Sequence, residues 1–145
     1  MNRRALELFE KGFSCAQSVF AAYSPIFGVD EKTALRISCA FGGGMARLAS
    51  VCGVVSGAFM VIGLKGGGDD KERTYALARE FVDRFKAVNR SILCKDLLGY
   101  DISTVEGLQK ARQDNAFKTV CTKYVEDSCR ILEELLGTKM QRCGV

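Results

Sequence analysis

LASVCGVVSGAFMVIGL, residues 48–64, carries no charged side chain and lies between Arg47 and Lys65. Its seventeen residues sit at the bottom of the roughly 17–25 that a membrane-spanning helix needs, and Ser50, Gly53, Ser56, Gly57 and Gly63 dilute its apolarity. The stretch is therefore read as a buried central helix, because a helix that is apolar all round must be surrounded by other protein. Ala49, Gly53 and Gly57 recur every four residues and leave one side without bulk. In lipid that spacing would mark dimerisation; in water it predicts close packing of another backbone.

The pattern on either side is helical. Downstream, Gly66-Gly67-Gly68 breaks the chain, and Asp69 with Glu72 forms a capping box for a long helix carrying Ala78, Phe81, Val82, Phe85 and Val88. A short element from Ser91 to Leu98 holds Cys94, Ser103 with Glu106 caps another brief helix, and residues 114–136 place Phe117, Val120, Cys121, Tyr124, Val125, Ile131 and Leu132 on one face. Upstream, Asp30 or Glu31 opens a helix through Ala34, Ile37 and Phe41. Ser14 is an N-cap for a helix that starts at Cys15 and stops at Tyr23-Ser24-Pro25, and Asn2 to Lys11 forms the first helix, ended by Gly12. No alternating strand pattern and no fixed-period repeat is visible. The expected fold is all-α: a compact single-domain helical bundle over residues 1–145, with its central helix around 48–64.

Twenty-one basic and 17 acidic residues give a net charge of +4, and they are mixed along the chain without a run of five like charges. A nucleic-acid binder gathers its cations on one face, so nucleic acid is not an expected partner. The start, MNRRALELFEKG, has Glu7 and Glu10 where a secretory signal would be apolar, which gives a cytoplasmic expectation. Seven cysteines in such a chain point to thiol chemistry or metal ligation rather than a secreted disulfide framework. Histidine is absent, which removes Cys-His nucleophilic pairs, mixed Cys/His zinc sites and His-ligated haem.

Gly42-Gly43-Gly44 before Met45-Ala46-Arg47 lacks the Gly-Lys-Ser/Thr ending of a nucleotide loop, so it reads as a flexible connector, with Arg47 as its sole candidate anion ligand. Ser56 has neither a nucleophile elbow nor a histidine base. Asp69-Asp70, Glu126-Asp127 and Glu133-Glu134 lie at capping or solvent-facing positions. The cysteines remain, at 15, 39, 52, 94, 121, 129 and 143, with no two spaced as C-x-x-C, so any site is assembled by the fold. Cys39, Cys129 and Cys143 are read as packing residues, since free cysteine is among the most buried residue types. Cys15 in a helix first turn, Cys52 beside the glycine seam, and Cys94 and Cys121 on apolar helix faces stand apart. Cys15 is expected to be the most readily ionised, because amides at a helix start favour thiolate.

Phe41-Gly42-Gly43-Gly44-Met45-Ala46-Arg47, then Cys52-Gly53-Val54-Val55-Ser56-Gly57, with Ser14-Cys15-Ala16-Gln17 before and Cys94 and Cys121 after, resembles the C_GCAxxG_C_C family of redox-active proteins. The resemblance covers nearly the whole chain. Val54 departs from the alanine of the family's C-G-A-x-x-G core, and it adds bulk near the seam. A related domain occurs in split-Soret cytochromes, but no haem-attachment C-x-x-C-H is present and no haem is expected. The resemblance implies a site of Cys15, Cys52, Cys94 and Cys121. Those four would either hold an iron-sulfur cluster or work as a reversible disulfide, with Cys15 attacking and Cys52 resolving, in an oxidoreductase or electron-transfer protein served by a redox partner protein. The alternative is a non-catalytic bundle with a structural metal site or a partner-binding role, and a homo-oligomer is compatible with either.

Overall fold

Gly53 opens the central helix, five residues later than the apolar run suggests. The computed structural model describes residues 2–137, which form eight α-helices: α1 (Asn2–Glu10), α2 (Cys15–Tyr23), α3 (Glu31–Ile37), α4 (Gly53–Gly66), α5 (Lys71–Asn89), α6 (Cys94–Leu98), α7 (Val105–Gln113) and α8 (Ala116–Leu136). Short 3-10 turns occupy Ser24–Phe27 and Cys39–Phe41. Among the described residues there is no β-strand, and no helix is long and apolar enough to cross a membrane.

α4 is the centre because its residues can be nowhere else. α2, α5 and α8 pack around it, and Val54, Val55, Ala58, Val61 and Ile62 are fully buried. Burying a valine or isoleucine side chain stabilises by about 1.5–3 kcal/mol, so this helix alone anchors much of the core. Gly53 and Gly57 face α2. A Cβ at Gly57 would lie 2.9 Å from the Ala16 carbonyl oxygen, and one at Gly53 would lie 2.7 Å from the Ala16 nitrogen. The seam predicted from the spacing is therefore present, but Ala49 is not part of it. Val54 does not intrude, being buried while its carbonyl accepts a hydrogen bond from Ser128 of α8 at 2.9 Å.

Residues 48–52 are loop, and Leu48 is 69% exposed. Apolar composition continues through them, but the backbone is held elsewhere: Val51 bridges Leu93 in antiparallel fashion, Cys52 N–H donates to Ile92 at 2.7 Å, and Cys94 N–H donates to Ser50 at 2.6 Å. Before them, Gly43, Gly44, Met45, Ala46 and Arg47 all have φ between 52° and 70°. Left-handed backbone costs roughly 1–2 kcal/mol for each residue bearing a Cβ. The turn is stabilised by hydrogen bonds from Ala46 N–H to Ala40 at 2.8 Å and from Ser50 N–H to Gly44 at 2.9 Å. The triple glycine is thus the entry to a bonded left-handed turn and not a loose connector.

Other boundaries shift slightly. α3 ends at Ile37 rather than reaching Phe41, and the caps of α5 and α7 are Asp70 and Thr104, one residue beyond Asp69 and Ser103. Ser14 caps α2 as expected, and Gln17 completes a capping box by reaching back to the Ser14 amide. α8 buries Cys121, Val125, Ser128, Cys129, Ile131 and Leu132 along its inner face and crosses α1, α4 and α5.

Candidate functional site

Cys15, Cys52, Cys94 and Cys121 line one cavity of about 570 Å³. Four helices deliver them. Cys15 is the first residue of α2, Cys52 is the N-cap of α4, Cys94 is the first residue of α6, and Cys121 lies in the second turn of α8. The bridge between Val51 and Leu93 sets Cys52 and Cys94 on its two arms. The crossing of α2 over α4 sets Cys15 beside them, since a Cβ on Gly53 would meet the Cys15 Cβ at 3.1 Å. The left-handed turn closes a further side: a Cβ at Gly44 would lie 2.6 Å from the Cys94 Cβ, and one at Gly42 would lie 2.6 Å from that of Ser14. Glycine is required at both positions because the turn's backbone leans directly on the cysteine-bearing helix starts.

The thiols influence one another. Burial pushes Cys52 up to about 12 and Cys94 up to about 11, since a desolvated site disfavours charge. The Val54 and Val55 amides at the start of α4 oppose the rise at Cys52 without closing a capping hydrogen bond. Cys15 and Cys121 are neighbouring thiols, and their mutual hydrogen bonding is the largest influence on each. That contact raises Cys15 well above the ordinary range, with burial and the neighbouring Cys52, Cys121 and Cys94 adding to it, and it lowers Cys121. The expectation that Cys15 ionises first is therefore reversed. In the first turn of α2 the Gln17 amide is already bonded to Ser14 Oγ at 3.3 Å, and three cysteines surround the Cys15 sulfur. Tyr124, also on the wall, donates its hydroxyl to the Leu97 carbonyl at 2.7 Å, which fixes α8 against α6.

Cys39 corrects another reading. It is exposed rather than packed, and it stands on the wall of the same cavity. Its one sequence signal was proximity to the glycine turn that forms that wall. Cys129 is fully buried away from the cavity, where burial pushes its thiol up to about 12. Cys143 lies outside the described residues. No group of three or more His, Cys, Asp or Glu among the described residues is drawn together as a single-ion metal site.

A family model described as "Putative redox-active protein (C_GCAxxG_C_C)" matches residues 13–135. The chain belongs to the C_GCAxxG_C_C family. The match takes in all four cavity cysteines, the glycine turn and the Cys52-to-Gly57 core. No curated protein and no solved structure matches the chain.

Proposed function

We propose that this C_GCAxxG_C_C protein is an electron-transfer protein in which Cys15, Cys52, Cys94 and Cys121 hold an iron-sulfur cluster and exchange electrons with a redox partner protein. The observation that carries the reading is the convergence of four thiols, from four helices, on one cavity. The donor set fits: four soft thiolates with no imidazole available suit iron-sulfur chemistry. That no three of these sulfurs are drawn together around a single-ion position among the described residues also favours a cluster over zinc. A tetrahedral zinc site needs all four sulfurs about 2.3 Å from one point, whereas a cluster spreads its ligands over several irons. When bound, such a cluster takes up and gives back one electron at a time. The chain would supply anionic sulfur from Cys121 first, with the protons on Cys15, Cys52 and Cys94 held more firmly, and with the amides opening α4 facing the charge gathered at Cys52.

A second reading is favoured by the contact of Cys15 with Cys121. Those two thiols could form a disulfide, releasing two protons and passing two electrons to a partner disulfide that becomes a dithiol. The pair would then be Cys15 with Cys121 rather than with Cys52.

Anaerobic reconstitution with ferrous iron and sulfide separates the readings. Uptake of iron and acid-labile sulfide with visible charge-transfer bands is expected, abolished by serine at any of Cys15, Cys52, Cys94 or Cys121 and retained in Cys129→Ser. Absence of sulfide uptake, with two thiols lost on oxidation and a Cys15-to-Cys121 cross-linked peptide, supports the disulfide instead. If neither is found, both redox readings fall.

A further inference from the structure

The cavity has a charge pattern that the cysteines do not explain. Its wall carries Arg47, Arg112 and Lys118 and, among the described residues, no carboxylate. The three cations come from separate elements: the left-handed turn, the end of α7 and the first turn of α8. None of them is in an ion pair with a described carboxylate. Elsewhere the surface cations do pair, as Arg4 does with Glu31 and Arg130 with Glu134. All three cavity cations are exposed, which places them at the mouth, whereas Cys52, Cys94 and Cys121 are buried at the floor. Much of the remaining wall is apolar, with Phe13, Ile102, Leu108 and Phe117.

Arg47 is held there by backbone rather than by chance. Its φ is 60°, its amide donates to the Gly42 carbonyl at 3.1 Å, and its side chain lies so close over Gly43 that a Cβ there would meet its Cγ at 2.7 Å. A left-handed arginine persists only where the surroundings impose it.

We propose that the cavity binds a small organic anion, held at its charged end by Arg47, Arg112 and Lys118 and along its body by the apolar wall, so that the molecule reaches the thiols. Clefts lined by one sign of charge concentrate ligands of the other sign and speed their arrival. The volume suits a small molecule rather than a protein segment, since ligand pockets run about 300–1,000 Å³. This inference rests on the cysteine site being the working centre, but it does not depend on what the cysteines hold.

The test uses two thiol-specific probes on full-length, metal-free, reduced protein in which Cys39 and Cys143 are serine. Dithiobis(nitrobenzoate) is a dianionic aromatic disulfide, and dithiodipyridine is a neutral one. In each reaction a protein thiolate attacks the probe disulfide, forming a mixed disulfide and releasing one aromatic thiolate. The rate ratio of anionic to neutral probe, divided by the same ratio for the chain in urea, is expected to be about threefold to tenfold above one. It should fall to about one near 1 M salt, where the screening length is roughly 3 Å. Arg47→Gln with Arg112→Gln and Lys118→Gln should remove it, whereas Lys71→Gln with Arg79→Gln on α5 should keep it. The salt series needs no variant, so misfolding of the triple substitution leaves the test decisive. A normalised ratio of one in the parent, or an elevated ratio that survives both salt and the cavity substitutions, overturns the proposal. Neither probe reads a cluster, so failure of this inference and failure of reconstitution are separate results.

Discussion

At Cys15 and Cys121 two thiols share the advantage of one negative charge. Whichever ionises first is stabilised by the proton left on its neighbour, and the second must then ionise beside a thiolate, close to Cys52 and Cys94. The structure gives the first step to Cys121, whose pKa is lowered, and holds the proton on Cys15. In reduced, metal-free protein, thiolate ultraviolet absorbance should thus begin to rise below the ordinary thiol value of 9.0. Cys15→Ala removes the donor while leaving Cys121 buried. Desolvation then acts alone and pushes Cys121 upward, so the early step should vanish and reappear at higher pH. A titration that keeps its early step in Cys15→Ala would show that the pair does not share its proton. Cys121→Ala should also abolish the step, because Cys15 by itself is held high by burial.

Glycines decide how closely α2 and α4 approach, and they act in a graded way. Gly57→Leu must displace the Ala16 carbonyl and crowd Val19, so it is expected to cost at least about 1–3 kcal/mol, read as a lower urea midpoint at unchanged slope. At Gly63, on the same helix, an added methyl group would have no neighbour within 4 Å. Gly63→Ala should therefore stabilise by roughly 0.5–1 kcal/mol through helix propensity alone. Equal effects of the two substitutions would mean that the seam is not tight. The seam was readable because Gly53 and Gly57 sit one helical turn apart in an uncharged stretch, and α8 was readable from its 3.6-residue apolar period. The start of α4 was not, because residues 48–52 are as apolar as the helix that follows. Only the long-range pairing of residues 50–52 with Ile92, Leu93 and Cys94, about 40 residues away, ends the loop there. The left-handed turn hid for a related reason: Met45, Ala46 and Arg47 carry side chains that ordinarily avoid that backbone, and the packing that imposes it is long-range. Cys15, Cys52, Cys94 and Cys121 stand out by their places on the helices and by the family pattern, whereas Cys39, Arg112 and Lys118 reach the cavity only through tertiary packing that no local spacing encodes.

Across the whole molecule the thiols join two parts of the interior. The larger core surrounds α4, a smaller one is built by α6, α7 and the start of α8, and Cys15 packs against both. Stability of the metal-free protein is thereby coupled to thiol protonation. Burial holds Cys52 at about 12 and Cys94 at about 11, against an ordinary value of 9.0. Below pH 9 both are neutral folded or unfolded, and burying them carries no charge penalty. Between 9 and their folded values the unfolded chain has released these protons while the folded chain keeps them, so stability falls as pH rises. Because one pH unit corresponds to about 1.36 kcal/mol, Cys52 can contribute a loss on the order of 4 kcal/mol by the top of its range. Buried tyrosines add their own decline, so the informative quantity is the difference between parent and Cys52→Ala. That difference in unfolding free energy should be constant up to about pH 9 and then move in favour of the variant as pH approaches 12, because the variant no longer has a Cys52 proton to hold. Parallel curves for the two proteins through that window would mean that Cys52 ionises as easily folded as unfolded, and that the floor of the cavity is wet.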